Sequence, residues 1–189
     1  MTFLRQTLAA VRLLLVMTVL LGIAYPLAIT GVAQVVAPVQ ANGSRLTGSA
    51  GQVVGSALIG QAFEGPEWFQ GRPSASDYSG ETSGGSNLSP KSADQADARA
   101  QREADLKAAN PAAVGPVPED ALTASASGLD PHISLAYALW QVPRVAQSRG
   151  VDADRLIALI TVANEPAALG FLGQDGVNVT RLNLALARE

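Results

Sequence analysis

The chain has 189 residues, 13 basic and 16 acidic, so it carries a formal net charge of -3 and lacks the cationic excess of a nucleic-acid-binding surface. It has no cysteine and a single histidine, which excludes disulfide scaffolds, thiolate metal sites, cysteine nucleophiles and every site built on two imidazoles. Hydrophobic residues make up 48% and charged residues 15%, well under the ~25% charge usual in soluble domains.

The excess of apolar residues sits near the N-terminus. Between Arg12 and Arg45 no residue carries a formal charge. The run from Leu13 to Val36 exceeds the ~20 residues that a helix needs to cross hydrocarbon. Tyr25-Pro26 interrupts it, and a membrane helix tolerates proline by kinking. Gly22, Ala24, Ala28 and Gly31 are small enough to let another helix pack closely. Arg5 and Arg12 would also suit a signal peptide, but the run is too long and no small-x-small site closes it, so an uncleaved anchor is expected. Both arginines lie on the N-terminal side. The positive-inside rule therefore places a short segment, 1–12, in the cytoplasm, a transmembrane helix at 13–36, and everything beyond it outside. That outer part holds 11 basic and all 16 acidic residues, hence a net charge of -5.

A Gly/Ser/Asn-rich linker at 37–51 leads into a soluble domain at 52–189, expected to be of the α+β class. Residues 52–61 (QVVGSALIGQ) predict a short strand or pair of strands, with Val53, Val54, Leu58 and Ile59 as core candidates. Residues 63–90 show no periodicity, and a stretch of this length is usually mobile or functional. Within it, Trp68, Phe69, Arg72 and Tyr78 either form an aromatic and cationic contact surface or cap the core beneath a long loop. Residues 92–110, rich in alanine with spaced charges, predict a solvent-facing helix that packs through Leu106 and stops at Pro111. After a proline-rich linker at 111–118, a helix is expected to start near Asp130 or Ser134. Its apolar residues are Ile133, Leu135, Leu139, Trp140, Val142 and Val145, with a kink or split at Pro143. Asp152 or Asp154 caps a further helix bearing Leu156, Ile157, Leu159 and Ile160. Residues 177–187 fit either a strand or a helix, with helix preferred.

Few residues point to chemistry. There is no G-x-x-x-x-G-K-[ST] phosphate loop, no G-x-S-x-G elbow, no S-x-x-K pair and no D-K-T-G phosphorylation sequence. The SGGSN stretch at 83–87 reads as a tight turn before it reads as an anion nest. His132, just after Asp130-Pro131, is a lone base, a pH-sensitive contact, or a partly exposed histidine near a helix cap.

Several phrases taken together closely resemble one family. GSALIGQAF (55–63), WFQGRPSASDY (68–78), SGGSNLSP (83–90), LTASASGLDPHIS (122–134), WQVPRVA (140–146) and VNVTRLNLAL (177–186) occur in order behind an anchor with Tyr25-Pro26. This pattern resembles the KdpC family, the C subunit of the Kdp potassium-transporting ATPase. The resemblance implies an accessory subunit that hydrolyses nothing itself, in the bacterial inner membrane with its domain in the periplasm. Implied partners are a potassium-channel-like subunit, a P-type ATPase subunit and a very small membrane subunit, with potassium as the transported ion of the complex. The family has been described as a catalytic chaperone that raises the ATPase subunit's affinity for ATP, and the glutamine matching its suggested nucleotide contact is Gln141. Read from the residues alone, Gln141 beside Trp140 on a helix equally suits a hydrogen bond to a neighbouring loop. An anchored domain without a catalytic constellation also fits a ligand-binding or sensor module, and an anchored hydrolase less well.

Overall fold

The computed structural model describes residues 2–189 and divides into two units, the first ending at Ser44 and the second spanning Arg45–Glu189.

In the first unit, α1 (Thr2–Val19), a π-helical turn (Leu20–Ala24) and α2 (Tyr25–Val36) run on as one apolar helix of 35 residues. At 1.5 Å per residue it is about 50 Å long, enough to cross a bilayer. The helix begins at Thr2, so Arg5 and Arg12 lie inside α1. The interruption expected at Tyr25-Pro26 takes the form of the wide turn. Pro26 has no N–H, and its ring would strike the carbonyl four residues back. The chain widens just before it, and the Tyr25 N–H donates to the Leu20 carbonyl five residues earlier. A single turn, α3 (Pro38–Ala41), follows Ala37.

The second unit opens with an antiparallel pair, β1 (Arg45–Thr47) and β2 (Val53–Ser56), in which Arg45 faces Ser56. Strand pairing thus starts inside the stretch expected to be a linker. Val53, Leu58 and Ile59 are exposed, contrary to their expected place in the core. A two-stranded ribbon buries little of its own surface, and here Ala57 is the residue that reaches the interior, its carbonyl accepting from Asn178 Nδ2 at 2.8 Å. The expected solvent-facing helix is α4 (Ala93–Ala109), capped by Ser92, whose hydroxyl accepts from the Gln95 N–H. Arg99–Glu119 (2.6 Å) and Arg102 Nη1 to the Leu122 carbonyl (2.9 Å) tie it to the short α5 (Glu119–Leu122).

Next come β3 (His132–Ile133), α6 (Leu135–Arg149), α7 (Ala153–Ala163), β4 (Asn164–Glu165), β5 (Gly176–Asn178) and α8 (Val179–Leu186). The strands form an antiparallel sheet of order β3–β5–β4, with all three residues of β5 buried. The ambiguity at 177–187 resolves as both elements: a strand ending at Asn178, whose side chain accepts from the Arg181 N–H and starts α8.

Ser134 caps α6 and Gly150, at φ 67°, ends it in the left-handed region. Of the kink or split expected at Pro143, the split does not occur: α6 runs unbroken through the proline. Pro143 has no N–H, so the Leu139 carbonyl four residues back loses its helical donor, and the helix continues past it. The expected apolar face also needs correction. Leu135 and Leu139 are exposed, whereas Tyr137, Ala138, Trp140, Gln141, Val142, Arg144 and Val145 are buried. Asp152 rather than Asp154 caps α7, which buries Leu156 and Ile160 and leaves Ile157 exposed. Phe69, Tyr137, Val145, Leu156, Ile160, Leu182 and Leu186 form the centre of the core.

Candidate functional site

The irregular segment between β2 and α4 meets the core along 65–70, where its backbone belongs to no sheet. Buried carbonyl and amide groups must be satisfied somehow, and here side chains do it. Arg144 Nη1 donates to the carbonyls of Pro66 (2.5 Å) and Trp68 (3.0 Å), and Arg149 Nε to that of Glu67 (2.9 Å). Asn183 pairs with Phe69 in both directions: Nδ2 donates to its carbonyl at 2.8 Å, and Oδ1 accepts its N–H at 3.0 Å. Gln141 does the same for Gln70, Nε2 donating at 3.1 Å and Oε1 accepting at 2.8 Å. Every carbonyl from Pro66 to Gln70 therefore accepts from a side chain of α6 or α8. The two amide side chains imitate the paired bonds of a neighbouring strand.

The rack is internally braced. Arg144 Nη2 donates to Gln141 Oε1 at 2.7 Å, and its Nε donates to Asn110 Oδ1 at 2.7 Å just beyond the end of α4. Gln141 and Asn183 are fully buried and Arg144 is 6% exposed. Burial pulls the Arg144 pKa down, while Tyr137 and Glu67 act in the opposite direction. Burying a guanidinium is costly unless each donor is met, and carbonyl oxygens meet these. Arg149 also donates to the Leu186 carbonyl at 3.1 Å and lies 4.4 Å from the centre of the Trp68 ring, a cation–π contact.

Beyond Gln70 the loop is fixed against 123–130. Arg72 pairs with Asp130 at 3.1 Å, and the Tyr78 hydroxyl donates to the Arg72 carbonyl at 2.6 Å. Burial, with Asp130 nearby, pushes the Tyr78 phenol up to about 12 against the opposing influence of Arg72, so it stays a donor. Tyr78 fits because Gly60 has no side chain: a Cβ there would lie 2.6 Å from both its ring and the Asp130 carbonyl. The 83–87 stretch does not form the tight turn expected of it: the Gly84 N–H donates to the Ser127 carbonyl at 2.8 Å and lays the loop along its neighbour.

Of the contact residues expected in this loop, Phe69 is fully buried, so it belongs to the core rather than to a surface; the loop backbone on either side is pulled inward by the rack. Trp68 is half-buried beneath Arg149, and Arg72 is half-buried in its ion pair. Gly22 and Ala24 fall in the π-helical turn, Ala28 and Gly31 in α2, all exposed. Gln141 lies inside the rack with its amide engaged by Gln70 and Arg144. The side chain is fully buried and held by three hydrogen bonds, so it presents no exposed polar atom in this conformation. Arg144, Arg149, Asn183 and Asn110 were not singled out from sequence. Their signal is that Gln141 and Arg144 interrupt the apolar face of α6, and Asn183 stands among Leu182, Leu184 and Leu186. Among the described residues no group of three or more acidic or histidine side chains is arranged to hold a metal ion.

One long apolar helix and a small α+β unit, braced by its own polar side chains, fit a single-pass membrane protein with one folded domain. Residues 7–188 match the profile of the KdpC family, described as "K+-transporting ATPase, c chain". The chain belongs to this family. It is 50% identical over 185 residues to the potassium-transporting ATPase KdpC subunit of Rhodospirillum rubrum, covering 97% of this chain and 95% of that one. The KdpC subunit of Caulobacter vibrioides is 52% identical over 171 residues, covering 89% and 86%. That of Serratia proteamaculans is 48% identical over 189 residues, covering 98% of each.

Proposed function

We propose that this chain is the non-catalytic accessory subunit of an ATP-driven potassium import complex. It stabilises the assembly of a channel-like subunit and a P-type ATPase subunit, with a small membrane subunit alongside. The observation that carries this reading is similarity to potassium-transporting ATPase KdpC subunits over 97% of the chain, anchor and domain together. The N-terminal helix spans the plasma membrane, with Arg5 and Arg12 holding its start on the cytoplasmic side and the 45–189 domain outside, in the periplasm. Ala24, Ala28 and Gly31, at spacings of four and three residues, offer a channel-like partner a stripe for close packing, and Gly22 extends it across the wide turn.

Raised ATP affinity in the complex then needs no nucleotide on this chain. A subunit that binds one conformation of the pump better than another shifts the population toward that conformation, by no more than the difference in its two affinities. Gln141 serves that purpose indirectly, by fixing the shape of the Trp68–Arg72 surface. The test is to co-express the complex with a tag on this chain and solubilise it in mild detergent. Co-purification of both large subunits, and loss of potassium-stimulated ATPase activity when this chain is deleted, are expected. A tagged chain that elutes alone from membranes containing the other subunits would contradict the proposal.

A further inference from the structure

β5 lies between β3 and β4, yet one side chain spans it. His132 in β3 reaches Glu165 in β4, with Nε2 3.0 Å from Oε2. It can cross because the β5 residue beneath it, Gly176, is bare: a Cβ there would sit 3.0 Å from the His132 Cβ. On its other side, Nδ1 is 3.6 Å from Asp130 Oδ1, at ion-pair rather than hydrogen-bond distance. A neutral imidazole has one N–H and can serve only one of these carboxylates; a protonated one serves both.

The remaining charges around the ring are already engaged. Asp130 is held by Arg72 at 3.1 Å, and Glu165 by Arg181 of α8 at 3.4 Å. Asp120 of α5 and Asp175 line the same cavity of about 350 Å³ but accept from Ser134 and from the Ala167 N–H. Asp130, first among the influences, raises the His132 pKa above its ordinary 6.5; burial opposes this and Glu165 reinforces it. Burial resists ionisation of Asp130, but hydrogen bonds from His132 and Arg72 outweigh it and hold its carboxyl below its ordinary value. Glu165 is also the last residue before the 166–175 loop, where Leu169, Phe171 and Leu172 are exposed.

We propose that His132 is a proton-dependent clasp: carrying both ring protons it pins β4 to β3 across Gly176 and fixes the base of the 166–175 loop, and on losing one it loosens that base. The sign follows from linkage. A histidine whose pKa is raised by folding stabilises the bridged form fully below 6.5, and that contribution is lost as pH rises through the raised value.

His132 is the only histidine, so its ring resonances in the full-length chain in detergent micelles identify themselves. We expect them to titrate above 6.5, with the Glu165 and Gly176 amide shifts following the same midpoint. Protection of those amides against hydrogen exchange, corrected for intrinsic rates, should fall about two- to fivefold across that midpoint, the range of a partly exposed ion pair. Glu165→Gln keeps an acceptor but removes the charge, and should lower the ring midpoint. His132→Gln should abolish the pH dependence of the loop amides. Titration at or below the ordinary value would overturn the clasp, as would loop amides that ignore the ring or still titrate in His132→Gln.

Discussion

Replacing Gln141 by alanine should unseat the loop from beneath. The substitution removes two bonds to the Gln70 backbone and one to the Arg144 guanidinium. At about 1 kcal/mol for each neutral bond and about 2 for the charge-assisted one, the loss is roughly 4 kcal/mol, because the partners stay buried without replacements. For a unit of this size, about 3 °C per kcal/mol gives a fall in Tm of roughly 12 °C. Thermal unfolding of the purified full-length chain, followed by circular dichroism in detergent, measures it. Gln141→Glu keeps an acceptor for the Gln70 N–H and for Arg144, loses only the donor to the Gln70 carbonyl, and should cost about a quarter as much. An unchanged Tm for Gln141→Ala, with weakened ATP affinity of the assembled complex, would refute the reasoning and make Gln141 a ligand contact instead.

Other consequences can be tested in the same way. Asn183→Ala frees both backbone groups of Phe69 in a buried setting and should cost about 2–4 kcal/mol in the same unfolding assay. Phe69→Ala empties a fully buried site and should cost about 3–5 kcal/mol in the same assay, and in a separate variant Phe69→Cys the thiol should resist an impermeant thiol reagent in the native state. Gly60→Ala forces a methyl group against the Asp130 carbonyl and the Tyr78 ring, and should lower Tm, while Gly80→Ala, where a Cβ meets nothing within 4 Å, should not. Stability should decline as pH rises from 6.5 through the raised His132 value. On the acid side it should fall as pH drops below 3.8 through the lowered Asp130 value, and denaturant midpoints across pH will show both limbs.

Local features of this fold are written locally. A charge-free run marks the long helix, and Ser92, Ser134, Asp152 and Asn178 sit where α4, α6, α7 and α8 start, because a short polar side chain there satisfies an otherwise orphaned N–H. Pro26 announces the wide turn through its missing donor. The rack is different: Gln141 and Gln70 are 71 positions apart, and Asn183 and Phe69 are 114 apart. No window of sequence contains both partners of either pair. The same holds for the His132–Glu165 bridge, which needs β5 to arrive between them. Hydrophobicity alone also misplaces Leu135 and Leu139, because α6 turns Gln141 and Arg144 inward to meet loop carbonyls, and Leu58 and Ile59, which follow a two-stranded ribbon that buries little of its own surface. Polar residues interrupting an otherwise apolar helical face are the one local trace of that arrangement.

Which side of the membrane the domain occupies decides how it can act within the complex. The chain has no native cysteine, so Ser148→Cys, at an exposed position near the end of α6, gives a single reporter for an impermeant maleimide applied to intact cells expressing the whole complex. Labelling from outside, in cells whose cytoplasmic markers stay unlabelled, is the predicted result, and it leaves the domain to act on the pump through assembly alone. Labelling only after the membrane is broken would put the domain beside the ATP pool and contradict the account.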